Sequence, residues 1–168
     1  MMRQTGSPEH LEAEASYHQV FLAPLNTTPI YDGRDIGPVL GVVDESTALI
    51  LFTGCTDGIV HLTISLEDVP PLADDSWEVQ ESVSITIDTP LYIWAPTGGF
   101  TRRADGSPWF LEPKKTGPHR VRASVRGRGE DYAEYTLTSP EHFLIQIWPE
   151  TSLHLRETLR DDGFGMGV

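Results

Sequence analysis

The chain is poor in most features that advertise chemistry. It has one cysteine among 168 residues, Cys55, so no disulfide closes within it, and the expected setting is a reducing one. No stretch reaches the roughly 18 consecutive apolar residues that suggest a membrane span. The opening "MMRQTGSPEHLEAEASYHQ" lacks the apolar core of a secretion signal. These absences predict a cytoplasmic protein that avoids membranes. Bases are scarce too: 12 Lys and Arg against 25 Asp and Glu leave a formal net charge of −13. A field of that sign repels nucleic acid and steers basic proteins inward.

Catalytic spacing is also missing. There is no G-x-S-x-G elbow. His10, His18, His61, His119, His142 and His154 never fall in H-x-H or H-x-x-x-H spacing, so no metal site is expected. "TGGF" and "GRGED" hold glycines without the strand–loop–helix context that aims backbone amides at phosphate. The pairs Glu67-Asp68 and Asp74-Asp75 lack the alternating acids of a calcium loop. Cys55, beside Gly54 at the end of an apolar strand, reads as a small core filler rather than a nucleophile. The expectation is a non-enzymatic protein with no cofactor and no metal.

What is present is alternation. Apolar residues recur at period two almost throughout, which is the pattern of half-buried strands. "SYHQVFL", "PVLGVV" and "TALILF" follow one another, and the nearly all-apolar third is expected to be central and covered on both faces. "CTDG" reads as a hairpin turn, because Asp57-Gly58 favours positive φ. "IVHLTISL" then returns, and "EDVPPLADDS" is a loop because Pro70 and Pro71 cannot donate to a ladder. In "WEVQESVSITID", Val79, Val83, Ile85 and Ile87 share a face with Glu81, which is either at a wet strand end or a paired buried acid. "LYIWAP", a short "WFLE" inside the irregular 97–117 stretch, and "HFLIQIWPE" complete the series. "TSLHLRETLRDD" predicts a short helix capped at Thr151 or Ser152. The fold class is all-β: an antiparallel β-sandwich of about eight to ten strands with at most a short C-terminal helix. The expected organisation is a mobile segment over 1–13, one sandwich domain over 14–150, and a helix and flexible tail over 151–168.

Charge is unevenly placed. Residues 101–128 hold 8 bases and 2 acids, whereas residues 1–100 hold 15 acids and 2 bases. In "RVRASVRGR" the spacing of Arg120, Arg122, Arg126 and Arg128 puts arginine on one strand face and Val121, Ala123 and Val125 on the other. That face reads as solvated, its charges paired across a hairpin with Glu130, Asp131 and Glu134. Two candidate partner-binding surfaces remain. One is the acidic stretch with Asp74, Asp75 and Glu78 around Trp77, in which Trp77 is either an exposed anchor for a basic partner or tucked into the core. The other is "FTRRADGSPWF", with Arg102, Arg103 and Trp109, whose aromatics alternatively cover a sandwich edge.

The strings "ASYHQVFLAP", "ALILFTG", "GPHRVR" and "HFLIQIWPE", in this order from about Ala15 to Glu150, resemble the competence protein J family (Nin, the DNA-entry nuclease inhibitors) and a related set of bacterial proteins. The chain departs from that pattern in its long 97–117 loop and its acidic C-terminal segment. The resemblance implies an inhibitor, or an immunity-type antagonist, of a basic nuclease or toxin, and it brings no catalytic residue. The alternative is a small-molecule-binding module or enzyme with a pocket under the 97–117 loop. No direct nucleic-acid contact is expected, and a homodimer through a strand edge is open.

Overall fold

The computed structural model describes residues 7–25, 27–29 and 35–164, and every regular element among them is a strand. In chain order these are β1 (Glu9–Ala15), β2 (Gln19–Pro24), β3 (Leu40–Val43), β4 (Ala48–Phe52), β5 (Asp57–Leu66), β6 (Val79–Ile87), β7 (Leu91–Trp94), β8 (Phe110–Leu111), β9 (Gly117–Arg126), β10 (Tyr135–Pro149) and β11 (Glu157–Arg160). One sheet runs β1-β5-β10-β9-β6-β11 and the other β3-β4-β2-β7-β8. All neighbours are antiparallel except β5 and β10, which run parallel. The fold is an all-β sandwich.

Alternation builds the core directly. Val60, Leu62 and Ile64 of β5, Val121, Ala123 and Val125 of β9, and Phe143, Ile145 and Ile147 of β10 all face inward. They meet Val20, Leu22, Leu49, Leu51 and Ile93 from the second sheet. β4 is buried along its whole length between β3 and β2, as an unbroken apolar run requires. A second apolar cluster, with Phe21, Ile50 and Phe52, lies on the opposite face of the smaller sheet.

Two expectations need correction. "CTDG" is not a hairpin turn, since β4 and β5 belong to different sheets and this corner carries the chain between them. Its path is set from a distance. Gly54 N and Cys55 N donate to the buried carboxylate of Glu141 at 2.6 and 2.8 Å, and Ser139 Oγ donates to the same group at 2.9 Å. A Cβ on Gly54 would come within 2.1 Å of the Arg128 carbonyl oxygen, so only glycine fits. The expected C-terminal helix is instead β11, paired to β6 across Glu157↔Ser82 and Thr158↔Glu81. Its long-range ladder outweighs a weak local helical preference. Residues 9–13 of the segment expected to be mobile belong to β1, which pairs with β5 from Glu9↔Ile64 to Ala15↔Gly58. Residues 1–6 of that segment, and 165–168 of the expected tail, lie outside the described residues.

Cys55 is fully buried, and burial, reinforced by the Glu141 charge, pushes its thiol up to about 12. A thiol held protonated in this way fills space and does not attack. Glu141 carries the corner, so Glu141→Gln should cost about 1–3 kcal/mol of stability by turning an amide N–H toward buried N–H donors. Urea denaturation measures this, and an unchanged midpoint would contradict the assignment.

Candidate protein-binding interface

The outer face of the larger sheet is built on arginine, but it is not solvated. Arg120 and Arg122 retain only 6% and 7% exposure, and Arg128 none. Their partners are not the expected acids. The last β9–β10 rung is Arg126↔His142, so Glu130, Asp131 and Glu134 fall in the connection beyond it and cannot face the arginines.

For Arg120 and Arg122, backbone carbonyls and neutral side chains take their place. Arg120 Nε and Nη1 donate to Ser82 Oγ and Ser84 Oγ at 3.1 and 2.9 Å. Its Nη1 and Nη2 also reach the carbonyls of His154 and Leu155 at 3.2 and 2.9 Å. Arg122 Nη2 donates to Gln146 Oε1 at 3.0 Å and to the carbonyls of Pro71 and Leu72 at 2.9 and 3.2 Å. Its guanidinium also stacks over Trp148, 5.4 Å from the ring centroid. Burial draws the Arg122 pKa below its ordinary value, with Glu67 opposing that shift. Alternation puts Arg120 and Arg122 side by side on one face of β9, so two chain segments are tied down next to each other. The first, residues 67–78, joins β5 to β6; the second, residues 150–156, joins β10 to β11. Each is a strap across the sheet, pinned by one guanidinium.

Arg126 and Arg128 diverge from this pair. Arg126 is exposed and lies 4.4 Å over the Trp77 ring, whose edge packs on His142. Burial lowers the His142 pKa, and Arg126, His61 and His10 add to the effect. Thr63 Oγ1 stands 2.9 Å from both His10 Nδ1 and His142 Nε2 on the same face. Beyond Gly127, at φ 83°, the chain turns, and Arg128 points to Asp162 at 2.5 Å and to the carbonyls of Pro38 and Phe52. Glu81 resolves as a paired buried acid. Its Oε1 accepts from Val39 N and Leu40 N, joining the two sheets, and its Oε2 accepts from Arg156 at 2.9 Å.

The anticipated surface residues fall into two groups on different elements. Asp74, Asp75 and Glu78 are exposed on the first strap, and Trp77 beneath them is buried at 8% exposure. Asp74 accepts from Ser76 N at 2.9 Å, a contact that holds its carboxyl below the usual range. Asp75 has its carbonyl held by Arg160 at 2.6 Å, and Glu78 accepts from Gly127 N at 2.9 Å. Arg102, Arg103 and Trp109 gather instead by β1. Trp109 is a core residue whose Nε1 donates to Glu9 at 2.8 Å. Arg103 stands 3.5 Å from the same carboxylate and lies over Phe110, and Arg102 is exposed and donates to the Gly106 carbonyl.

Sequence reading missed the apolar half of the strap surface. Leu72 is 95% and Leu155 92% exposed, with Val69 and Leu153 also open to solvent. The missed signal was leucine inside polar loops that contribute little to the core. The carbonyls of Leu72 and Leu155 are those held by Arg122 and Arg120, so adjacent guanidinium groups position both leucines.

No protein-family model matches the chain, and no curated protein does. Among solved structures, the fold is similar to that of ComJ from Bacillus subtilis, an inhibitor of the DNA-degrading activity of NucA. The TM-score is 0.55 at 14% identity, over 89% of this chain and 100% of that one. The crocagin biosynthetic gene J product also shares it, with a TM-score of 0.52 at 13% identity, over 86% of this chain and 99% of that one. At these identities the likeness establishes the shared fold.

If Arg122 pins the first strap, Arg122→Gln should leave the sandwich folded but free residues 68–76. Limited proteolysis should then cut there roughly tenfold faster, since losing a hydrogen-bonded charge costs about 1.5–3 kcal/mol locally. Unchanged cleavage would mean that other contacts hold the strap.

Proposed function

We propose that the protein is a non-enzymatic, cytoplasmic binding protein that masks a basic partner, of the nuclease or toxin kind, with its two straps. The observation that carries this reading is a surface held by buried guanidinium groups, on which Leu72 stands among acids and Leu153 and Leu155 are exposed on the neighbouring strap. Residues 67–78 contribute Glu67, Asp68, Asp74, Asp75 and Glu78 without a single base. Such a surface pairs an apolar anchor with a charged surround, the usual anatomy of a protein-binding site. Burying one exposed leucine contributes about 1.5–3 kcal/mol. The carboxylates add speed and selectivity, attracting a cationic surface while repelling DNA. Because the guanidinium groups already order the straps, docking loses little conformational entropy. The fold shared with an inhibitor of a DNA-degrading activity supports the same reading.

The basic partner is to be captured from the source cell at low salt and its association followed by surface plasmon resonance. The triple variant Asp74→Lys, Asp75→Lys, Glu78→Lys should slow association at least tenfold, and raised salt should slow the parent protein likewise. Leu72→Ser combined with Leu155→Ser should speed dissociation. Binding indifferent to both variants would place the interface elsewhere.

A further inference from the structure

At the end of the sandwich where β5 and β10 finish, the core is not closed. A cavity of about 270 Å³ opens between the larger sheet and the connection from β8 to β9. Its apolar walls include Leu66, Ile147, Pro113 and Pro149, and His119 also lines it. His119 is 97% buried, since its exposure is 3%.

Among the described residues, the imidazole has one of its two nitrogens engaged. His119 Nδ1 lies 2.9 Å from the Gly117 carbonyl, which can only accept, so Nδ1 carries the hydrogen. Nε2 is then an acceptor in the neutral ring, and it has no partner among the described residues. No fully enclosed side-chain nitrogen lacks a partner among those residues, so Nε2 is not sealed off, and His119 is one of the residues that line the cavity. An acceptor placed there can take a donor from water or from a ligand that displaces it.

The rim supplies the second constraint. Lys114 and Lys115, the only lysines in the chain, line the cavity with Glu67 and Asp68. Asp68 is engaged by Lys114 at 3.3 Å, and Glu67 accepts from Ser65 Oγ at 2.7 Å. Lys115 is exposed and has no partner among the described residues. A cavity of roughly 150 Å³ already accommodates a benzene ring, so this one has room for a substituted aromatic.

We propose that the cavity between Lys115 and His119 binds a small phenolic carboxylic acid, its carboxylate at Lys115 and its hydroxyl donating to His119 Nε2. The ring lies against Ile147 and the prolines. This site borders the first strap at Glu67 and Asp68 but uses neither the exposed leucines nor Asp74, Asp75 and Glu78, and it does not rest on the strap reading.

Titration of the ¹⁵N-labelled protein with 4-hydroxyphenylacetate, phenylacetate and 4-hydroxybenzyl alcohol tests the assignment. The first should saturate with shifts at Lys115, His119 and Ile147, and each of the others should bind roughly tenfold more weakly, the loss of one good contact. His119→Phe should erase the advantage of the hydroxyl, and Lys115→Ala that of the carboxylate. Lys115 is exposed, so its variant tests the site even if the His119 variant does not fold. Absence of saturation up to about 10 mM, shifts confined to other regions, or indifference to either group would overturn the proposal.

Discussion

A guanidinium group taken out of water must find acceptors for its fixed fork of donors, and this requirement organises the outer face of the sandwich. Leaving such a charge buried and unpaired would cost several kcal/mol. Arg120 and Arg122 meet the demand mainly with serine, glutamine and backbone carbonyls rather than with carboxylates. A carbonyl acceptor ties down a chain segment whatever its side chain is. The side chains of the straps are therefore free to face outward. This is how leucines at 95% and 92% exposure can be held in place by groups that are nearly buried.

The same logic explains the two buried acids. Glu141 collects the amides of the corner where the chain changes sheets, and Glu81 collects amides from the segment entering β3. Each carboxylate lies on a strand of the larger sheet and holds backbone that leads into or out of the smaller one. The apolar core binds the layers without direction, whereas these contacts fix where the connections run.

Much of the fold was legible because a half-buried strand leaves a two-residue period. Val79, Val83, Ile85 and Ile87 share the buried face as their spacing implied, and Glu81 among them was visibly anomalous. What escaped depended on distant partners. "CTDG" has the local chemistry of a hairpin, and only the long-range contact to Glu141 makes it a crossover. "RVRASVRGR" alternates as a wet face does, and period alone cannot reveal that two loops return to cover it. "RETLR" has residues acceptable to a helix, yet β6 offers it an edge. Of the candidate interface, the acids were visible as a charge run. Trp77 was left between exposed and buried, and the leucines were overlooked because an isolated leucine in a loop carries no periodic signal.

Backbone hydrogen exchange, measured on the protein alone and saturated with the basic partner proposed for it, tests the interface most directly. The account predicts that the partner slows exchange across residues 68–76 and 150–156, with the β1 and β8 edges unchanged. Protection confined to those edges or to the 97–110 region, with the straps exchanging as in the free protein, would contradict it.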